Sequence, residues 1–165
     1  MAALAEGTNA PRFSLPLLGG GSFSLESALQ RGPALLAFFK ISCPVCQFTL
    51  PYVERIFRSY GHENVTIAGV SQDDAAGTAQ FAKQYGLTLP LALDDVTAYP
   101  VSNQYGLTNV PTLFFLAPSG TVEVSCVGWS RADMERISRE IAFLTGATQA
   151  PVIHRGESVP DFKGG

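Results

Sequence analysis

Cys43 and Cys46, in the segment Ser42-Cys43-Pro44-Val45-Cys46, have the type and spacing that thiol–disulfide exchange requires. In that chemistry a thiolate attacks a disulfide sulfur, and a neighbouring thiol then resolves the mixed disulfide. The attacking sulfur must ionise readily, and a helix N-terminus supplies unpaired N–H groups and partial positive charge. A helical pattern opens at Pro44, with Phe48, Val53, Ile56 and Phe57 recurring at helical spacing, so Cys43 falls at or near the N-cap. Pro44 suits the first helical position, where no donor is needed and φ is fixed by the ring. Lys40 precedes Cys43 by one turn and is a candidate electrostatic modulator, depending on where its side chain points. Cys46 lies about one helical turn along on the same face and deeper in the helix. Cys43 is therefore the expected nucleophile and Cys46 the expected resolving thiol.

The other cysteine and the histidines suggest no competing site. Tetrahedral metal sites usually need four ligands, and Cys126, His62 and His154 offer none at close spacing. Neither a metal nor a cofactor is expected. Val122, Val124 and Cys126 alternate on one strand face, where Cys126 reads as a small buried hydrophobe.

The pair has to be held by elements that the pattern also predicts. Pro11 to Pro16 and Ser22 to Leu25, separated by Gly19-Gly20-Gly21, read as a hairpin. Ala34-Leu35-Leu36-Ala37-Phe38-Phe39 has the continuous apolar character of a strand buried on both faces. The helix from Pro44 should be kinked by Pro51 and end at Gly61. A strand over 65–70 follows, then a helix over 75–85 capped by Asp73 or Asp74 and stopped by Gly86. Residues 89–93 read as a short strand and 97–105 as a short helix poorly formed around Pro100. A hairpin spans 112–127 around Pro118-Ser119-Gly120, and the last helix covers 131–144 with Met134, Ile137, Ile141 and Leu144 on one face. This order implies a mixed sheet covered on both faces, with the cysteine pair at the C-terminal end of a strand, where α/β proteins collect reactive groups.

Bulk composition sets the class. The chain has 165 residues, 46% hydrophobic and 15% charged, which suits one globular domain. A net charge of −3 and 11 dispersed Lys and Arg residues give no nucleic-acid partner. No apolar run approaches membrane-spanning length, so no membrane partner is expected either. The N-terminus, Met1-Ala2-Ala3-Leu4-Ala5-Glu6-Gly7, lacks a basic and an apolar region, pointing to a cytoplasmic location, or a periplasmic one if a signal peptide has been removed. Residues 1–145 form the expected domain and 146–165 a tail without periodicity, either a docked arm or loose.

With Cys-Pro-Val-Cys and Val110-Pro111-Thr112 in place, the chain resembles the thioredoxin superfamily over about residues 7–145. It is most similar to the TlpA/ResA-like thiol–disulfide oxidoreductases and the related AhpC/TSA redoxins. The resemblance implies a thioredoxin-like α/β three-layer sandwich with a mixed central sheet. It also implies an N-terminal β-hairpin over 7–25 and an insertion over 90–107, before the cis-proline loop. Pro111 should follow a cis bond, face the cysteine pair and leave the backbone of Val110 open to a substrate strand. Pro44, Val45, Val110 and Pro111 are then the substrate-binding residues. The chain departs from its relatives in carrying Ser42 and Phe39 at common tryptophan positions, Ala37 in place of a buried acid, and Thr49 where a glutamate serves the second cysteine. Proton transfer at Cys46 then falls to water, to Thr49 or to the substrate.

The implied activity is reduction of protein disulfides. It would involve a protein disulfide or dithiol substrate, an unidentified electron donor, and a monomeric enzyme. The alternative is a peroxiredoxin-type thiol peroxidase, which places a threonine three residues before its cysteine; here Lys40 stands there. A non-enzymatic binding module is a third reading, disfavoured by the matched cysteines.

Overall fold

In the computed structural model, which describes residues 2–165, the apolar run becomes β3 (Ala34–Phe39), buried along its whole length. Upstream, β1 (Ser14–Pro16) and β2 (Ser22–Ser24) pair as an antiparallel hairpin. Its turn uses Gly19, Gly20 and Gly21, all at positive φ, where a Cβ would be strained. Leu25 does not finish the second strand. It opens α1 (Leu25–Arg31), a helix the sequence pattern did not reveal, because the Ser24 hydroxyl accepts the Ser27 N–H at 3.3 Å and caps it.

After β3 come α2 (Pro44–Tyr60), β4 (Thr66–Ser71), α3 (Ala75–Tyr85), β5 (Leu91–Leu93) and α4 (Pro100–Gln104). They are followed by β6 (Thr112–Leu116), β7 (Val122–Val127), β8 (Trp129–Ser130), α5 (Arg131–Thr145) and β9 (Phe162–Lys163). The central sheet has the order β5-β4-β3-β6-β7, with β3, β4 and β5 parallel and β6 and β7 antiparallel to their neighbours. Alternation along β3 sends Leu35, Ala37 and Phe39 to one face, against Leu50 and Ile56 of α2, Phe81 of α3 and Ile137 of α5. Ala34, Leu36 and Phe38 go to the other, against the hairpin, α1 and Tyr105 beyond α4. The result is the expected three-layer thioredoxin-like sandwich. No helix among the described residues is long and apolar enough to cross a membrane.

Gly61 ends α2 as expected, in a right-handed conformation, with Pro51 inside the helix. Other local expectations are corrected. Asp74, not Asp73, caps α3 through the Gly77 N–H at 2.8 Å. The helix expected over 97–105 begins only at Pro100, because Thr97 is held in a turn by Asp95 and proline needs no donor at the first helical position. Leu144 is 42% exposed, and the buried positions of α5 near it are Ile141 and Ala142.

The segment 146–165 is a docked arm. Ala150 donates its N–H to the Tyr60 hydroxyl at 2.7 Å, and Val152 is buried. Arg55 forms a two-pronged ion pair with Glu157 at 2.5 and 2.7 Å. Further on, the Trp129 Nε1–H donates to the Pro160 carbonyl at 2.7 Å, and β9 pairs antiparallel with β8.

Candidate active site

The chain turns from β3 into α2 through Lys40 to Cys43, and four bonds fix the turn. Cys43 N–H donates to the Lys40 carbonyl at 3.2 Å and Gln72 N–H to the Phe39 carbonyl at 3.0 Å. Ile41 N–H donates to the Asp73 carboxylate at 2.8 Å, while the Gln47 side chain donates to the Ile41 carbonyl at 3.0 Å. Asp73 therefore secures the loop beside the cysteines. The sequence offered it only as an alternative helix cap, and Gln47 was not singled out. Their signal was positional, since Asp73 lies two residues past the end of β4, the strand next to β3, and Gln47 sits one turn into α2.

Cys43 is the N-cap of α2, and its Sγ accepts the Cys46 N–H at 3.2 Å. The same sulfur donates to the Val110 carbonyl at 3.4 Å. Cys43 is half-buried and Cys46 fully buried, with both thiols free. Burial pushes the Cys46 thiol well above the usual cysteine range, and contact with Cys43 adds to that while a backbone hydrogen bond from Lys40 opposes it. Cys126 is likewise buried, its thiol pushed up to about 12 by desolvation and then by Asp133.

The Val110–Pro111 bond is cis, as the resemblance implies. Its loop is pinned by Gly128 N–H on the Pro111 carbonyl at 2.7 Å and by the Thr112 hydroxyl on the Asn109 carbonyl at 2.8 Å. Pro111 is buried, Val110 and Val45 are half-buried, and Pro44 is exposed. The ammonium of Lys40 lies 5.2 Å from the ring centre of Tyr99, so its charge rests on an aromatic face. Lys40, Gln72, Asn109 and Val110 line a cleft of about 270 Å³.

On the opposite flank Phe48 and Tyr52 of α2 pack on Trp129, with ring centres 4.8 and 5.0 Å away. Neither Phe48 nor Trp129 was identified beforehand as a neighbour of the site, because their contact joins residues far apart in the chain. Thr49, one turn beyond Cys46, is fully buried, and its hydroxyl has no hydrogen-bond partner.

Comparison with known proteins places this geometry in context. The model of the AhpC/TSA family matches residues 7–125. Thiol-disulfide oxidoreductase ResA of Geobacillus thermodenitrificans is 30% identical over 127 residues, spanning 76% of this chain and 71% of that protein. The ResA of Geobacillus kaustophilus is 29% identical over 136 residues, or 81% and 76% of the two chains. A solved thiol:disulfide interchange protein of the thioredoxin family from Chlorobium tepidum superposes with a TM-score of 0.69 at 27% identity, covering 84% of this chain and 99% of the other.

Proposed function

The chain belongs to the AhpC/TSA family as a ResA-like thiol–disulfide oxidoreductase, and on that premise we propose that it reduces protein disulfides with Cys43 as nucleophile and Cys46 as resolving thiol. The observation that carries the assignment is the position of Cys43 Sγ, between the first-turn N–H of Cys46 and the carbonyl of Val110. The Cys43 thiolate attacks one sulfur of the substrate disulfide, forms a bond to it and releases the other as a thiolate. Cys46 gives its proton to the substrate thiolate released in the first step and attacks Cys43 Sγ, forming the Cys43–Cys46 bond and releasing the second substrate sulfur as a thiolate. Two electrons have then passed to the substrate, and a donor dithiol must restore the pair. The burial that disfavours charge on Cys46 keeps it a thiol until the mixed disulfide has formed. Val45, Pro44, Val110 and Pro111 serve as the surface against which the substrate chain lies.

The peroxidase alternative draws no support from the geometry, since the side chain one turn before Cys43 is Lys40, with its ammonium on Tyr99. Insulin reduction with dithiothreitol as donor should be accelerated by the protein and fall to background in Cys43→Ser. Cys46→Ser should accumulate mixed disulfide with insulin. In a glutathione buffer series the pair should show a midpoint potential below about −220 mV, toward the thioredoxin end of the known range. A value near about −120 mV would mark an oxidant and overturn the reducing direction.

A further inference from the structure

We propose that residues 161–165 occupy the substrate groove from within the chain, so that a polypeptide must displace them to pair beside Val110 whereas a small disulfide need not. The proposal rests on the reading of Cys43 as the nucleophile.

Three observations carry it. First, the arm ends on the cis-proline loop itself. The Asn109 side chain donates to the Gly165 carbonyl at 3.1 Å. A Cβ built on Gly165 would stand 2.8 Å from the Val110 carbonyl carbon and collide with its oxygen, the atom that accepts Cys43 Sγ. Second, the arm arrives there as a strand. Trp129 pairs with Lys163 and Ser130 with Phe162, and a Cβ on Gly128 would collide with the Lys163 carbonyl. An extended segment seated beside this loop is what a bound polypeptide would look like. Third, the grip is graded. Upstream the arm is anchored by buried Val152, by the Arg55–Glu157 pair and by the Trp129–Pro160 bond. The tip is held by two ladder positions, by the Arg131 N–H on the Asp161 carbonyl at 2.9 Å, by Asn109, and by the Lys163 ammonium 5.1 Å from the ring centre of Phe48. Phe162 is 63% exposed. The tip can therefore lift while the anchor holds.

A tethered tip competes as a ligand at an effective concentration near millimolar, so only a substrate offering better pairing displaces it. Cys43 stays partly exposed with the arm seated, so a compact disulfide reaches the sulfur without the Val110 edge.

Two disulfides distinguish these routes: insulin and 5,5′-dithiobis(2-nitrobenzoate), each with dithiothreitol as donor. A variant lacking residues 161–165 should reduce insulin with kcat/KM raised about tenfold, the competition of a tip that binds the groove with a dissociation constant of about 0.1 mM at an effective concentration of about 1 mM, and reduce the small disulfide unchanged within about twofold. Gly165→Ala leaves the β8–β9 pairing and the upstream anchor in place, but its methyl group lifts the end off Val110. It should move the insulin rate in the same direction by a smaller factor, which keeps the test open should the shortened chain fold poorly. An insulin rate unchanged or lowered in Gly165→Ala, or equal gains with both disulfides, would overturn the proposal. Failure of the full chain to react with the small disulfide above the Cys43→Ser background would instead sink the nucleophile assignment.

Discussion

The hydroxyl of Thr49 is the described buried side-chain polar atom that finds no partner, and it sits one turn from Cys46. A buried hydroxyl left unbonded costs free energy, so Thr49→Val, which preserves the shape, should stabilise the protein by about 1 kcal/mol. In a chain of this length that is a rise in melting temperature of about 2–4 °C. A thermal melt of the reduced protein checks it; a lower melting point would mean that the hydroxyl has a partner, water or sulfur, worth more than the desolvation it costs. The placement of the two cysteines together at the start of α2 was readable from type and spacing because it depends on local helix geometry. The Cys43–Val110 contact was reachable only through the family resemblance, since nothing local relates residues on different strands. Asp73 escaped notice for a similar reason: two adjacent aspartates before a helix look alike, and only the packed loop shows that one caps α3 while the other holds Ile41.

Helix α2 positions the cysteines, and it is tied to the segment entering β5 by one buried acid. Glu54 accepts Thr88 N–H at 2.8 Å, the Thr88 hydroxyl, Leu89 N–H at 3.0 Å and Arg58 Nε–H at 2.8 Å. Burial alone would raise its pKa, but the bonds from Thr88 and Arg58 outweigh burial and hold it below the ordinary value of 4.5. A depressed pKa means that this contribution is present above that value and is lost as pH falls beneath it. Glu54→Ala strands the buried Leu89 N–H and frees the exposed Thr88 and Arg58 donors, and should cost about 1–3 kcal/mol at neutral pH. Urea unfolding of both proteins should show this gap narrow as the acid titrates; a gap independent of pH would assign the loss to packing. Among the elements, β3 was the easiest to recognise, because burial on both faces leaves a continuous apolar run. Helix α1 was hidden because its seven residues follow directly on an alternating strand, and the deciding bond is a single serine cap.

For the molecule as a whole, the docked arm is what composition concealed. Its attachment runs through backbone carbonyls, one ion pair and a single buried valine, none of which produces periodicity. The Arg55 side chain, and then the His154 N–H, pull the Glu157 carboxyl down to about 2 from its ordinary value of 4.5. Because that pKa is depressed, the arm's anchor is fully present above pH 4.5 and is lost only as pH falls toward about 2. Limited proteolysis across this range should leave 146–165 protected at mildly acidic pH and cut it near the lower limit, whereas Arg55→Ala should expose it at neutral pH. Release of the wild-type arm at pH values above 4.5 would contradict the pairing. The joint that holds this arm contains Trp129, the chain's sole tryptophan, fully buried between α2 and the Pro160 carbonyl. Indole fluorescence from this protein therefore originates entirely at that seam. Any event that wets the ring or breaks its bond to Pro160 will register as a shift in emission, so release of the arm's anchor can be timed in a stopped-flow instrument with no dye attached.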